Sequence, residues 1–68
     1  MADAKELLKI CIEGRRVTVK AAAEQMGVPQ SALWYWLRGA SKPRDAGRRA
    51  IARWTRGKVP VSAWDSAA

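Results

Sequence analysis

Apolar residues recur along this chain at three- and four-residue intervals, the spacing of one face of an α-helix. Ala4, Leu7, Leu8 and Cys11 form the first such stripe, which predicts a helix over about 3–13 ended by Gly14. Thr18 then offers a hydroxyl to an orphan amide, and Lys20–Met26 consists of strong helix formers. Gly27 falls where a left-handed residue closes such a helix, and Val28 follows as the apolar residue that turns back onto the core. Pro29 lacks an amide hydrogen and has a preset φ, so it suits the start of a further helix, Gln30–Arg38, which Gly39 stops. Ala40–Arg44 reads as a loop. A fourth helix is expected from an Asp45 cap to about Arg56, with Ala46, Ala50, Ile51 and Trp54 inward and Gly57 at its end.

Beyond Gly57 the periodicity fades. Lys58–Trp64 is open between an extended arm, an edge strand interrupted by Pro60, and one helical turn beginning there. Residues 65–68 read as a frayed tail and residues 1–64 as one domain. At 68 residues the chain lies near the size where a single core is marginal, which favours association with a second copy. Its hydrophobic fraction of 49% is that of a globular chain. The expected class is all-α, a compact body of four to five helices with a short C-terminal arm.

Charge sharpens this picture. The chain carries net +7, with a pI near 10.6. Between 38 and 58 lie Arg38, Lys42, Arg44, Arg48, Arg49, Arg53, Arg56 and Lys58, against Asp45 alone. Residues 1–13 are nearly balanced, with Lys5 and Lys9 against Asp3, Glu6 and Glu13. Such asymmetry points to a directed anionic partner, the alternative being a solvated basic face.

Residues 19–38, VKAAAEQMGVPQSALWYWLR, satisfy the restrictions that a helix–turn–helix imposes. Ala23 is small where the two helices must touch, and Gly27 tolerates positive φ in the turn. Ala22, Met26, Val28, Leu33 and Trp36 fall where both helices are pinned to the body. A small basic domain built on this unit is most simply a sequence-specific binder of duplex DNA.

The stretch MGVPQSALWYWLRG resembles the turn and recognition helix of lambdoid phage Cro and repressor proteins. Downstream, RRAIARWTRGKV resembles the last helix and Gly-Lys-Val of short Cro-like and YdaS-type regulators, so the likeness covers about residues 18–60. It implies a lambda-repressor-like fold that binds a palindromic operator as a homodimer and represses transcription. The expected location is the cytoplasm of a prokaryote or phage-infected host, at the nucleoid. The chain departs from that pattern at Pro29, where a polar cap is more frequent, and at Trp34 and Tyr35, which are bulkier than usual.

Gln30, Ser31, Trp34, Tyr35 and Arg38 point away from the expected core and are the candidate base-contacting residues. Gln30 can bridge adenine N6 and N7, Ser31 can meet either kind of edge, and Arg38 is open between a phosphate contact and spanning guanine O6 and N7. Trp34 is open between contact with thymine methyls or a sugar, packing on a partner copy, and local cover. The Tyr35 hydroxyl is better placed for a phosphate. Candidate phosphate contacts are Thr18, Lys20, Lys42, Arg44, Arg15 and Arg16, with Arg48, Arg49 and Arg53 divided between that role and a solvated face. Trp36 is expected in the core. Trp54, Val59, Val61 and Trp64 are candidates for the dimer interface, although Trp54 also suits the core and Trp64 could dock on its own body.

Other classes fit less well. Without histidine, with the lone Cys11 and with six carboxylates dispersed, the chain offers no nucleophile–base pair, no metal-ligand set and no disulfide. No enzymatic activity, cofactor, metal or small-molecule substrate is therefore expected. No apolar run reaches the roughly 18 residues of a spanning helix, no signal peptide opens the chain, and no membrane role is expected. Two alternatives stand beside the repressor: an antitoxin that autoregulates its operon, and a basic adaptor that binds protein or RNA and uses the hairpin as scaffold.

Overall fold

Four α-helices and one 3₁₀ turn make up residues 3–65, the part described by the computed structural model, with no strand among the described residues. Helix α1 spans Ala4–Gly14. Its cap is Asp3, whose side chain accepts from the Glu6 amide at 3.0 Å, and its inward face is Ala4, Leu8 and Ile12. Ile12 was absent from the expected stripe, while Leu7 and Cys11 stand at the core's edge. Gly14 is the last helical residue, and the reversal falls on Arg16, which holds a left-handed φ of 54°.

Helix α2 spans Val19–Met26, capped as expected by Thr18, whose hydroxyl accepts from the Ala21 amide at 3.1 Å. Ala22 and Ala23 are buried, so α2 can approach α3 closely through methyl groups alone. Gly27 takes a φ of 76°, and both its amide and that of Val28 donate to the Ala23 carbonyl, satisfying an acceptor the helix end leaves over. Helix α3, Gln30–Arg38, follows Pro29 and ends at Gly39, also left-handed at 77°. Its Leu33 and Trp36 are buried; α3 packs on α1 and α2, and the Trp36 ring lies beside Gly47 of the helix that follows.

Helix α4 spans Asp45–Trp54, two residues shorter than expected at its C-terminus. Arg44 holds the cap position, so Asp45 is the first helical residue, where its charge still suits the positive end of the helix dipole. Ile51 and Trp54 point inward, Ala50 is half-buried and Ala46 is exposed. Thr55 explains the early stop. Its buried hydroxyl donates to the Ile51 carbonyl at 2.8 Å and accepts from the Val59 amide at 3.1 Å, which folds the chain back before Gly57.

The segment after Gly57 takes the third of its sequence readings, one helical turn begun at Pro60 and running Val61–Trp64. It packs on α4. Leu8, Leu33, Ile51 and Val59, drawn from α1, α3, α4 and this segment, have no exposure at all. Ala22 of α2 is equally unexposed, so the core is where five separate stretches meet. Asp65, expected in the frayed tail, forms an ion pair with Arg48 at 2.7 Å. Residues 66–68 of that tail, like Met1 and Ala2, lie outside the described residues.

Candidate nucleic-acid interface

The outward face of α3 follows from helical geometry. At about 100° per residue, positions 30, 31, 34, 35 and 38 fall within an arc of about 140°. The structure leaves all five of their side chains exposed: Gln30, Ser31, Trp34, Tyr35 and Arg38. Trp34 is 49% exposed and Tyr35 54%, large values for aromatic residues and enough to present both rings to a partner. On the opposite arc Leu33 and Trp36 are buried, with Ala32 and Leu37 half-buried beside them. The helix thus separates anchoring from presentation, and the five sequence candidates share one uninterrupted stripe.

Pro29 shapes the entry to this stripe. It occupies the cap position with φ −63° and makes no side-chain capping bond, so α3 begins with amides that no side chain covers. Those amides sit at the positive end of the helix dipole. Along the sequence no carboxylate intervenes between Glu24 and Asp45, so the turn, α3 and the following loop carry only positive charge.

Lys42 and Arg44 are exposed and line an open groove with Gly27, Val28 and Pro29 on one side and Gly47 of α4 on the other. The loop after α3 is thereby brought back beside the turn that precedes it. Pro43, between these two cations, is fully buried and holds the loop to the body. Lys20 is exposed in the first turn of α2. Thr18 is exposed too, its oxygen accepting from Ala21 while its hydroxyl proton remains able to donate.

The other phosphate candidates are placed differently. Arg15 donates to the Trp54 carbonyl and lies 4.0 Å over the Trp54 ring, so it closes the C-terminal end of α4. Its neighbours in a second groove are Ile10, Cys11, Gly14, Thr55, Arg56 and Lys58, none of them on α3. Arg15 is thus a packing residue rather than a free cation beside the stripe. Arg16 is exposed, while Arg48 is taken up by the Pro43 carbonyl at 2.9 Å and by Asp65. Arg49 and Arg53 are exposed on the outside of α4.

The expected dimer residues need correction. Trp54, Val59 and Trp64 are 8, 0 and 4% exposed within a single chain, and only Val61, at 38%, faces outward. Trp54 is held by Arg15 on its face and by Gln25, which accepts from its indole nitrogen at 2.9 Å. Val59 is drawn under by Thr55. Trp54, Val59 and Trp64 finish the subunit's own core and leave Val61 as the member of that set exposed to a second copy.

Sequence reasoning passed over Gln25, Pro43, Gly47 and Thr55. Gly47 carried a readable signal, because a glycine inside a helix costs about 1 kcal/mol against alanine and calls for a packing reason. The reason is Trp36: a Cβ at position 47 would stand 2.9 Å from its ring and 3.0 Å from Pro43.

Comparison with protein-family models, with curated proteins and with solved structures returned no match. No described helix is long and apolar enough to cross a membrane.

Proposed function

We propose that this protein binds double-stranded DNA by laying α3 in the major groove, and that two copies on a palindromic site act as a transcriptional regulator of the Cro-like kind. The stripe of Gln30, Ser31, Trp34, Tyr35 and Arg38, exposed together on a helix whose other face is anchored, carries this reading. A groove about 12 Å wide admits one helix, and its edges match the amide, hydroxyl and guanidinium that α3 offers. Trp34 would cover thymine methyls or a sugar, and the Tyr35 hydroxyl would reach a phosphate. Lys20, Lys42, Arg44, Arg16 and the Thr18 hydroxyl would meet the backbone on either side. The likeness of residues 18–60 to lambdoid repressors supports the same reading from the sequence side.

Selection of bound sequences from a random duplex pool, with sizing of the protein alone and on DNA, tests it. A two-fold symmetric consensus is the expected result, and failure to enrich any sequence would overturn the proposal. Within that consensus, Gln30→Ala should cost about 1–3 kcal/mol of specific affinity and relax one base pair. Equal losses on specific and random DNA would remove Gln30 from base reading.

One observation favours a competing function. Trp34 and Tyr35 are adjacent, exposed and flanked by cations, which also suits stacking on unpaired RNA bases by a basic adaptor. Tighter binding to single strands than to any selected duplex would favour that adaptor.

A further inference from the structure

A cleft at the carboxyl end of α3, between α1, the α3–α4 loop and the 3₁₀ turn, has a chemistry of which DNA binding would use Lys42 alone. Its apolar walls are Ala4, Trp36 and Trp64. Trp64 is 4% exposed, and its indole Nε1–H is a buried donor with no acceptor among the described residues. Folded proteins rarely leave such a group unpaired, because it has lost its hydrogen bonds to water and gained none in return.

The polar lining is one-sided. Asp3 brings the cleft's carboxylate, and that group already accepts from the Glu6 amide at 3.0 Å. Lys5, Ser41 and Lys42 also line the cleft, and no hydrogen bond or ion pair engages their side chains among the described residues. Lys5 is directed across the end of α3, since a Cβ at Gly39 would stand 2.9 Å from its Nζ. Two ammonium groups and a hydroxyl thus remain at the cleft, all of them able to donate, while the unpaired indole N–H is buried behind its wall. The cleft volume is about 180 Å³, open on one side, and a cavity of about 150 Å³ admits one benzene ring.

We infer that this cleft binds a small aromatic carboxylate, its ring against Trp36 and Trp64 and its carboxylate toward Lys5 and Lys42. The site shares Lys42 with the proposed DNA face and needs nothing else from that reading. A titration of the ¹⁵N-labelled chain with sodium benzoate, read on its four indole resonances, tests the inference. The Trp64 resonance is assigned by its loss in Trp64→Phe or, should that variant fold poorly, by nuclear Overhauser contacts to Ala4 and Trp36. Its signal should shift and saturate with a Kd on the order of millimolar, reasonable for so small a ligand. Benzyl alcohol, which keeps the ring without the charge, and acetate, which keeps the charge without the ring, should each bind at least about fivefold more weakly. Lys5→Gln and Lys42→Gln should each weaken benzoate by up to about fivefold and leave the other indole signals in place. A drift that never saturates, equal binding of benzyl alcohol or acetate, or indifference to both lysine changes would overturn the inference.

Discussion

The α2–α3 hairpin and the segment running from α4 through the 3₁₀ turn are of similar length, yet they are held in different ways. The hairpin is built from local punctuation: Thr18 caps, Gly27 and Gly39 reverse the chain at positive φ, and Pro29 opens the second helix. Its two exposed aromatics, Trp34 and Tyr35, contribute little to its anchoring. The C-terminal segment carries some of the same signals, Gly57 at positive φ and Pro60 before the 3₁₀ turn, but its large side chains are held by distant partners. Trp54 depends on Arg15 and Gln25, Trp64 on the cleft beside α1, and Asp65 on Arg48. The tryptophans divide along the same line, Trp34 facing solvent while Trp54 and Trp64 complete the core.

The largest test of that division is truncation of one tryptophan from each region. Trp64→Ala should cost about 3–5 kcal/mol, the range for removing a buried Trp or Phe, and could unfold a domain of this size. Trp34→Ala should cost less than about 1 kcal/mol, because half of that side chain is already in water. Urea denaturation followed by circular dichroism would read both. Similar losses from the two variants would mean that the exposed ring of α3 also stabilises the fold, and the proposed separation of presenting from anchoring residues would fail.

Legibility followed the range of the forces involved. The bounds of α3 and the left-handed residues at 27 and 39 could be read because each depends on chain neighbours within four positions. The outward stripe of α3 could be read for the same reason, being the complement of a periodic apolar face. The fate of residues 54–64 could not. An apolar residue that follows a glycine fits an interface and a core equally well, and the direction of the chain is set by the left-handed pair Arg56 and Gly57 together with the Thr55 hydroxyl, bonded to Ile51 and Val59. The engagement of Arg15 could not be read because its partner, Trp54, lies 39 residues away. A cation in a basic chain carries no local mark of being already engaged.

Gly47 offers an intermediate test, since it joins the two regions where Trp36 of α3 rests on α4. Local preference alone favours alanine there by about 1 kcal/mol. Packing opposes it: the new methyl would press on a buried indole and on a fully buried proline, neither of which can swing aside. Forcing atoms into such contacts costs about 1–3 kcal/mol, so Gly47→Ala should destabilise by about 1 kcal/mol net. A gain in melting temperature would show that the α3–α4 contact is looser than the distances indicate.

The smallest expected effect lies at the Arg48–Asp65 pair. The Asp65 side chain is 68% exposed and Arg48 only 17%, so solvent screens one partner while the other is held by its bond to Pro43. Exposed pairs of this kind contribute between about 0 and 1 kcal/mol. Asp65→Asn keeps the shape and removes the charge, so its cost should stay below about 1 kcal/mol. That cost should also shrink as salt rises toward 1 M, where the Debye length falls to about 3 Å. No loss at any salt concentration would show that an amide replaces the carboxylate and that its charge contributes nothing. A loss well above 1 kcal/mol would make Asp65 a clamp on the loop that carries Lys42 and Arg44, and would tie the C-terminal segment directly to the proposed DNA face.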